Sequence, residues 1–157
     1  MTRITQGEKA PDFTLPTDSD GTFSLSALNG TPLVLFFYPK DDTSGCTKEA
    51  IGFTEALPEF EKIGFKVFGM SPDPVKKHDK FREKHGLGVT LISDEEKEAL
   101  EAYGVWVEKS MYGKKYMGVE RTTVLIDSEG KIAKIWRKVK VQGHVEDVLE
   151  SARSIAG

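Results

Sequence analysis

The sequence predicts a single α/β domain with a central mixed β-sheet flanked by helices. Three observations predict this class: apolar strands alternate with amphipathic helices over the first two thirds of the chain, a β-hairpin signal follows, and an amphipathic helix ends the sequence. Alternating strands and helices form parallel strands, whereas a hairpin adds antiparallel ones, so the sheet should be mixed. The length of 157 residues suits one domain over residues 1–157.

The first elements are read from hydrophobic patterns. Residues 22–28 alternate between polar and apolar and predict a short edge strand, whereas residues 33–38 are all apolar and predict a central strand covered on both faces. From Cys46 to Ile63 the apolar residues recur at steps of three and four. This spacing predicts a helix that carries the cysteine in its first turn and is kinked at Pro58.

The middle of the chain continues the alternation. Residues 65–70 predict the next strand, and Asp73 and Pro74 predict the N-cap and first residue of a helix that ends at Gly86. Residues 90–93 predict a further short strand.

The last third combines a helix, a hairpin and a closing helix. Asp94 is predicted to cap a helix over residues 95–103. Residues 122–126 and 131–136 flank a Gly-containing turn and predict a β-hairpin. The final helix should span residues 143–155.

Composition and charge exclude several classes of function. The net charge is −3 with 30% charged residues, which gives no strong attraction to nucleic acid or anionic lipid. The longest apolar run is short of the ~20 residues that span a bilayer, and the N-terminus lacks a secretory signal, so we expect no membrane partner. A lone cysteine suits a reducing compartment, and we expect the cytoplasm.

The histidines do not predict a metal site. His78 and His85 lie on a predicted surface helix, and His144 opens the last helix. None has a metal-ligand partner at suitable spacing, so no metal and no cofactor are expected.

Cys46 is the candidate nucleophile. It lies where the apolar strand gives way to a helix, at the positive end of the helix dipole and among backbone N–H groups without helical partners. Both features favour a thiolate over a thiol, and the thiolate is the reactive form.

The motif around Cys46 has the form Pro39-x-x-x-Thr43-x-x-Cys46, followed by Glu49 and, much later, by Glu120-Arg121-Thr122-Thr123. In these motifs, and from Gly7 to near Lys138, the sequence resembles the peroxiredoxins of the bacterioferritin comigratory protein (BCP, PrxQ) branch. The resemblance implies a thioredoxin-like fold and a thiol-dependent peroxidase of antioxidant defence. The resemblance also implies that the substrates are hydrogen peroxide and alkyl hydroperoxides and that the cysteine cycles through a sulfenic acid.

The neighbours of Cys46 have chemistry that suits this reaction. The Thr43 hydroxyl is expected to accept a backbone N–H as a helix cap and to donate to the thiolate or substrate. Pro39 can shield the sulfur from water, since it has no N–H to donate. Gly45 allows close approach of the chain, and the N–H groups of Gly45 and Cys46 are available donors.

Arg121 and Glu49 depend on the resemblance. It places Arg121 beside the sulfur, where a guanidinium stabilises negative charge; without it, Arg121 reads as a surface residue. Glu49 lies one helical turn after Cys46 and either pairs with Arg121 or is a first-turn glutamate favoured by the helix dipole.

The segment 109–116 mixes lysines and aromatics around a glycine. It could mimic a nucleic-acid surface, but in an acidic protein we expect a glycine-tipped connection that packs aromatics around the site.

The chain departs from many of its relatives in having no second, resolving cysteine. Ile51 stands at one family position for it, and the helix after Pro74 has none. The sulfenic acid must then meet an external thiol, from thioredoxin, glutaredoxin, a small thiol or a second copy of the chain. Alternatively, a natural cysteine has been replaced by Ile51. We expect a monomer.

Two other functions remain open from the sequence. Cys46 could serve a non-enzymatic redox sensor or thiol-binding thioredoxin-like module, or it could be an ordinary buried residue of a structural domain.

Overall fold

A five-stranded mixed sheet forms the centre of the molecule in the computed structural model, which describes residues 4–28 and 30–156. Two of the three inner strands are buried along their whole length. The sheet contains both parallel and antiparallel pairs, as predicted. In spatial order the strands are β5 (Thr90–Ser93), β4 (Lys66–Ser71), β3 (Leu33–Phe37), β8 (Thr122–Ile126) and β9 (Ile132–Trp136).

Four α-helices accompany the sheet in the described part of the chain: α1 (Ser44–Lys62), α2 (Val75–His85), α3 (Glu98–Ala102) and α4 (His144–Ala156). Alternate residues of β3 enter two separate hydrophobic clusters. Val34 and Phe36 join the cluster that includes Phe53 of α1 and Val148 of α4. Leu35 joins the other cluster, on the side of α3. The uniformly apolar strand is thus buried on both faces, as predicted, although it ends at Phe37 and the buried Tyr38 lies just beyond it.

Two short hairpins lie outside the main sheet. The first pairs β1 (Thr14–Pro16) with β2 (Thr22–Ser24), and the second pairs β6 (Trp106–Met111) with β7 (Lys114–Val119). The predicted strand 22–28 is too long, because residues Leu25–Leu28 turn into a 3-10 helix that buries Leu25.

The hairpin of β6 and β7 confirms the prediction for residues 109–116 only in part. Its turn contains Gly113, with φ +79°, and Tyr116 lines a cavity beside Arg121, but the segment is a regular hairpin and its other aromatic residue does not pack around the site. Tyr112 is 98% exposed, because it occupies the turn with a positive φ of 53° and points away from the protein.

The starts of two helices also differ from prediction. Helix α2 begins at Val75 with Pro74 as its N-cap, because the Asp73 carboxylate is used elsewhere and accepts the backbone N–H of Asp41 at 2.7 Å. Helix α3 begins three residues later than predicted, at Glu98, although the Asp94 carboxylate does cap it by accepting the N–H of Glu98 at 3.1 Å.

Helix α1 runs without interruption through Pro58, and within the described residues no helix is both long enough and apolar enough to cross a bilayer.

The pairing of β3 with β8 positions the site. The two strands are antiparallel, and Phe37 at the end of β3 lies opposite Thr122 at the start of β8. The segment that leads from β3 into α1 therefore meets the residue before Thr122 at one edge of the sheet. That residue is Arg121.

Candidate active site

Cys46 lies in the first turn of α1, as predicted. Thr43 is the N-cap by its extended backbone (φ −91°, ψ 157°), and its carbonyl accepts the N–H of Thr47 at 2.8 Å. Cys46 is thus the third helical residue, where backbone N–H groups have no partner within the helix. Its side chain is only 1% exposed, so the sulfur lies beneath the surface.

The Arg121 guanidinium contacts both Cys46 and Glu49. Its Nη2 donates to the Cys46 sulfur at 3.2 Å, and its Nη1 donates to Glu49 Oε1 at 2.7 Å. The side chain of Arg121 is 17% exposed. A planar guanidinium can hold two partners in fixed directions, which a lysine ammonium cannot do. Sequence spacing alone gave no reason to expect this contact, since the two residues are far apart along the chain.

Glu49 is fully buried and aims the guanidinium. Burial raises the pKa of Glu49 to about 7, against the opposing charge and hydrogen bond of Arg121. Burial also acts on Arg121, but the charges of Glu49 and Cys46 outweigh it and raise the pKa of the guanidinium. Arg121 is therefore a permanent cation beside a sulfur and beside a carboxyl that titrates near neutrality. Glu49 therefore pairs with Arg121, which is the first of the two alternatives that the sequence left open.

Gly45 is needed for the contact between Arg121 and Cys46. A Cβ on Gly45 would lie 3.2 Å from Arg121 Nη2, closer than ordinary van der Waals contact. Glycine thus lets the guanidinium approach the first turn of the helix.

The Thr43 side chain does not cap the helix, so this prediction is wrong. Its hydroxyl donates to the carbonyl of Lys40 at 3.0 Å, because the turn of residues 40–43 brings that acceptor close to it. Thr43 is exposed, and Pro39 is half-buried two residues after β3. Both residues flank the segment that carries Cys46, and their roles toward a substrate stay predictions.

Two of the three histidines are buried, although the sequence placed one of them on a surface helix. His78, predicted on a surface helix, is fully buried and hydrogen-bonded to Asp41. His144 is 6% exposed, shares a 2.8 Å hydrogen bond with Thr123 and lies 4.0 Å from Glu49. The sequence did not predict that either histidine is buried. The only available signal was that each lies in an amphipathic helix, one face of which packs against the protein. His85, by contrast, is only half-buried and shares a 2.8 Å hydrogen bond with the exposed Asp42.

A cavity of about 550 Å³ opens beside Arg121. Its walls include the hairpin of β6 and β7, and its lining residues include Val107, Lys109, Tyr116, Glu120, Lys138 and Val139. Burial, together with the Arg121 charge, lowers the pKa of Lys109. A second cavity, near Leu33 and Ile126, lies at the opposite end of β3 and is not part of this site.

No cluster of three or more potential metal ligands exists among the described residues. The groups around Cys46 are a sulfur that can act as a nucleophile, a fixed cation and backbone N–H donors. Such groups can attack a polar bond and stabilise the leaving anion.

A family model described as AhpC/TSA matches residues 6–135. The chain belongs to the AhpC/TSA family. A putative peroxiredoxin Bcp of Coxiella burnetii is 53% identical over 146 residues, covering 93% of this chain and 97% of the relative. The peroxiredoxin Bcp of Bacillus subtilis is 46% identical over 150 residues, covering 96% of each chain. This peroxiredoxin is therefore of the Bcp type, as the motifs predicted.

Solved structures confirm the thioredoxin-like peroxiredoxin fold. A Xylella fastidiosa PrxQ variant has a TM-score of 0.94 at 37% identity, with 100% of both chains covered. The Xanthomonas campestris bacterioferritin comigratory protein, studied for alkyl peroxide reduction, has a TM-score of 0.92 at 41% identity, covering 98% of this chain and 100% of that one. Like its relatives, this peroxiredoxin is a thiol-dependent peroxidase.

Proposed function

We propose that Cys46 is the peroxidatic nucleophile and reduces hydrogen peroxide and small alkyl hydroperoxides. The observation that carries the proposal is the 3.2 Å contact between Arg121 Nη2 and the Cys46 sulfur, with Glu49 fixing the other arm of the guanidinium. A nucleophilic thiolate in contact with a permanent cation is suited to a reaction in which negative charge moves from sulfur to oxygen.

The first half-reaction forms one bond and breaks one. The Cys46 thiolate attacks the terminal oxygen of the peroxide, the S–O bond forms, the O–O bond breaks, and an alkoxide or hydroxide leaves and takes a proton. The cysteine is oxidised to a sulfenic acid, and the peroxide is reduced to an alcohol or water. Arg121 stabilises the charge on the leaving oxygen, and the N–H groups of Gly45 and Cys46 hold the peroxide in line with the sulfur.

Thr43 and Pro39 shape the entrance to the sulfur in this proposal. Reorientation of the Thr43 hydroxyl away from Lys40 lets it donate to a bound peroxide, and Pro39 limits the access of water.

The second half-reaction uses an external thiol, because Cys46 is the only cysteine of the chain. The thiol attacks the sulfenic sulfur and releases water, which leaves a mixed disulfide. A second thiol then releases Cys46 and carries away the disulfide. Thioredoxin, glutaredoxin or a small thiol can serve, and the reducing cytoplasm supplies all three.

The protein is proposed to act as a monomer, because Cys46, Glu49 and Arg121 all come from one chain. Sedimentation of the reduced protein tests this.

Hydrogen peroxide turnover with excess dithiothreitol tests the function. We expect many turnovers per chain for the wild type and none for Cys46→Ser, which preserves the side-chain volume without an accessible anion. Consumption of a single equivalent would instead indicate a redox sensor, and turnover by Cys46→Ser would place the reaction elsewhere.

A further inference from the structure

A buried pair, Asp41 and His78, lies directly beneath the segment that carries the active cysteine. Asp41 sits between Pro39 and Thr43, and its side chain is 2% exposed; that of His78 is fully buried. His78 Nδ1 lies 2.6 Å from Asp41 Oδ2. The hydroxyl of Tyr38 donates to the other carboxylate oxygen, Oδ1, at 2.6 Å.

The partners of His78 determine its protonation. Its Nε2 lies 2.9 Å from the carbonyl oxygen of Ile92, which can only accept, so Nε2 carries a proton. Its Nδ1 faces the carboxylate of Asp41, which also accepts when ionised. The charge and hydrogen bond of Asp41 favour donation from both nitrogens, which makes the ring an imidazolium. Burial opposes this charge, but the hydrogen bond and charge of Asp41 outweigh it and raise the pKa of His78.

The pair ties the cysteine segment to parts of the fold other than α1. His78 belongs to α2, and the backbone N–H of Asp41 donates to Asp73 at the end of β4. Asp73 is itself held by the Ser71 hydroxyl at 2.8 Å and by Lys77, whose Nζ is 3.5 Å away. The titratable groups that face His78 are thus Asp41, Asp73 and Tyr38, with Lys77 behind Asp73.

The burial of Cys46 makes this attachment relevant to the reaction. Hydrogen peroxide is small enough to enter a narrow opening, but a thiol must bring its sulfur to about 2 Å from the Cys46 sulfur. At 1% exposure the sulfur cannot be reached by a thiol side chain of another protein. The first turn of α1 and the segment before it must therefore open before the second half-reaction.

We propose that the Asp41–His78 ion pair is a latch that holds residues 39–43 and the start of α1 closed over Cys46. It favours the reaction with peroxide and slows reduction by thiol. Both residues are positioning residues, since neither contacts the sulfur. The proposal rests on the role of Cys46 proposed above.

Two adjacent aspartates provide a matched test. Asp41→Asn keeps the shape of the side chain and removes the charge that holds the imidazolium. Asp42→Asn makes the same change one residue later, where the carboxylate is exposed and pairs with Lys84 and His85. Exposed ion pairs contribute little. Two rates are measured: that of the reduced protein with hydrogen peroxide, and that of the sulfenic acid with 2-mercaptoethanol.

For Asp41→Asn we expect the peroxide rate to fall on the order of tenfold and the thiol rate to rise several-fold, because the closed geometry is less populated. For Asp42→Asn both rates should stay within about twofold of the wild type. Opposite changes cannot come from a merely structural loss, which slows both reactions. Equal slowing of both rates, or no change in the peroxide rate, would overturn the proposal.

The wild type supplies a second test that needs no substitution. The ion pair is complete below the pKa of His78 and is lost as the pH rises through it. Amide hydrogen exchange of residues 40–47, corrected for its intrinsic pH dependence, should therefore accelerate in step with the NMR titration of the His78 ring. Corrected exchange rates that do not change over the titration of His78 would refute the latch. This measurement needs no turnover, so it distinguishes failure of the latch from failure of the peroxidase assignment.

Discussion

The imidazole of His144 lies behind the Glu49 carboxyl, with Nε2 4.0 Å from Oε2. Both side chains are buried, and Glu49 Oε2 has no hydrogen-bond partner among the described residues. Burial shifts the two groups in opposite directions, since it penalises whichever form is charged. Burial raises the pKa of Glu49 to about 7 and lowers the pKa of His144 to about 4. The charge of Asp147 acts to raise the pKa of His144, and the charge of Arg121 acts to lower it. Between these values the folded protein keeps both groups largely neutral.

His144 should make the fold sensitive to acid. Its folded pKa lies below the unfolded value of 6.5, so its contribution to stability is complete above 6.5 and is lost as the pH falls toward 4. His144→Gln does not titrate and can still hydrogen-bond Thr123. Relative to this variant, the wild type should lose up to about 3 kcal/mol of unfolding free energy over that interval. Urea unfolding at several pH values measures it, and parallel curves for the two proteins would contradict the expectation.

Glu49 should make the fold less stable as the pH rises. Its folded pKa of about 7 exceeds the unfolded value of 4.5, so its contribution is complete below 4.5 and is lost as the pH rises through 7. Glu49→Gln should therefore gain stability relative to the wild type as the pH rises, by at most about 3 kcal/mol. The same urea series tests this. A stability difference that does not vary with pH would mean that Arg121 keeps Glu49 ionised throughout.

Arg121 should matter for peroxide and not for thiol. Arg121→Ala is expected to slow the second-order reaction with hydrogen peroxide by about 3 kcal/mol of transition-state stabilisation, or roughly a hundredfold. Arg121→Lys keeps the charge but cannot contact Cys46 and Glu49 together, so it should recover only part of the rate. Stopped-flow fluorescence gives the peroxide rate and thiol trapping gives the reduction rate. Equal slowing of both would count against the assigned role.

Gly45→Ala should separate stability from activity. Alanine favours the helix by up to about 1 kcal/mol over glycine, so thermal unfolding should not occur at a lower temperature. Its methyl group, however, displaces the Arg121 guanidinium, which lies 3.2 Å from the Cβ position. The peroxide rate should therefore fall at least several-fold. Ser44→Ala, at the preceding exposed position of α1, is the control and should leave the rate unchanged. An unchanged rate for Gly45→Ala would show that the guanidinium can shift without loss.

Ile51→Cys should form a disulfide with Cys46 after peroxide treatment, and only by opening α1. Both residues lie within the continuous helix Ser44–Lys62. Five residues along an intact helix separate the Cα atoms by ~8.7 Å, whereas a disulfide tolerates at most about 6.8 Å. Mass spectrometry should show the loss of two hydrogens, and circular dichroism should show a loss of helix. Overoxidation as ready as that of the parent would mean that the helix is too rigid to open.

The sequence alone predicted the local elements around the site and the candidate nucleophile. A uniformly apolar strand, followed by a helical spacing of apolar residues from Cys46 onward, predicted β3 and α1 and so placed Cys46 in a first turn. These are interactions between residues that are close along the chain, for which periodicity is a sufficient guide. The resemblance then predicted the thioredoxin-like fold and the position of Arg121 beside the sulfur.

Only the tertiary structure decided which distant groups surround the cysteine. The β3–β8 pairing brings Arg121 to the sulfur, and the packing of α4 on α1 buries His144 behind Glu49. His78 looked like a surface residue because its helix is mostly polar, yet the fold seals it against Asp41. The Thr43 hydroxyl likewise donates to the Lys40 carbonyl and does not accept a backbone N–H of the helix. Burial and the competition between hydrogen-bond partners depend on contacts across the whole chain, and no spacing in the sequence records them.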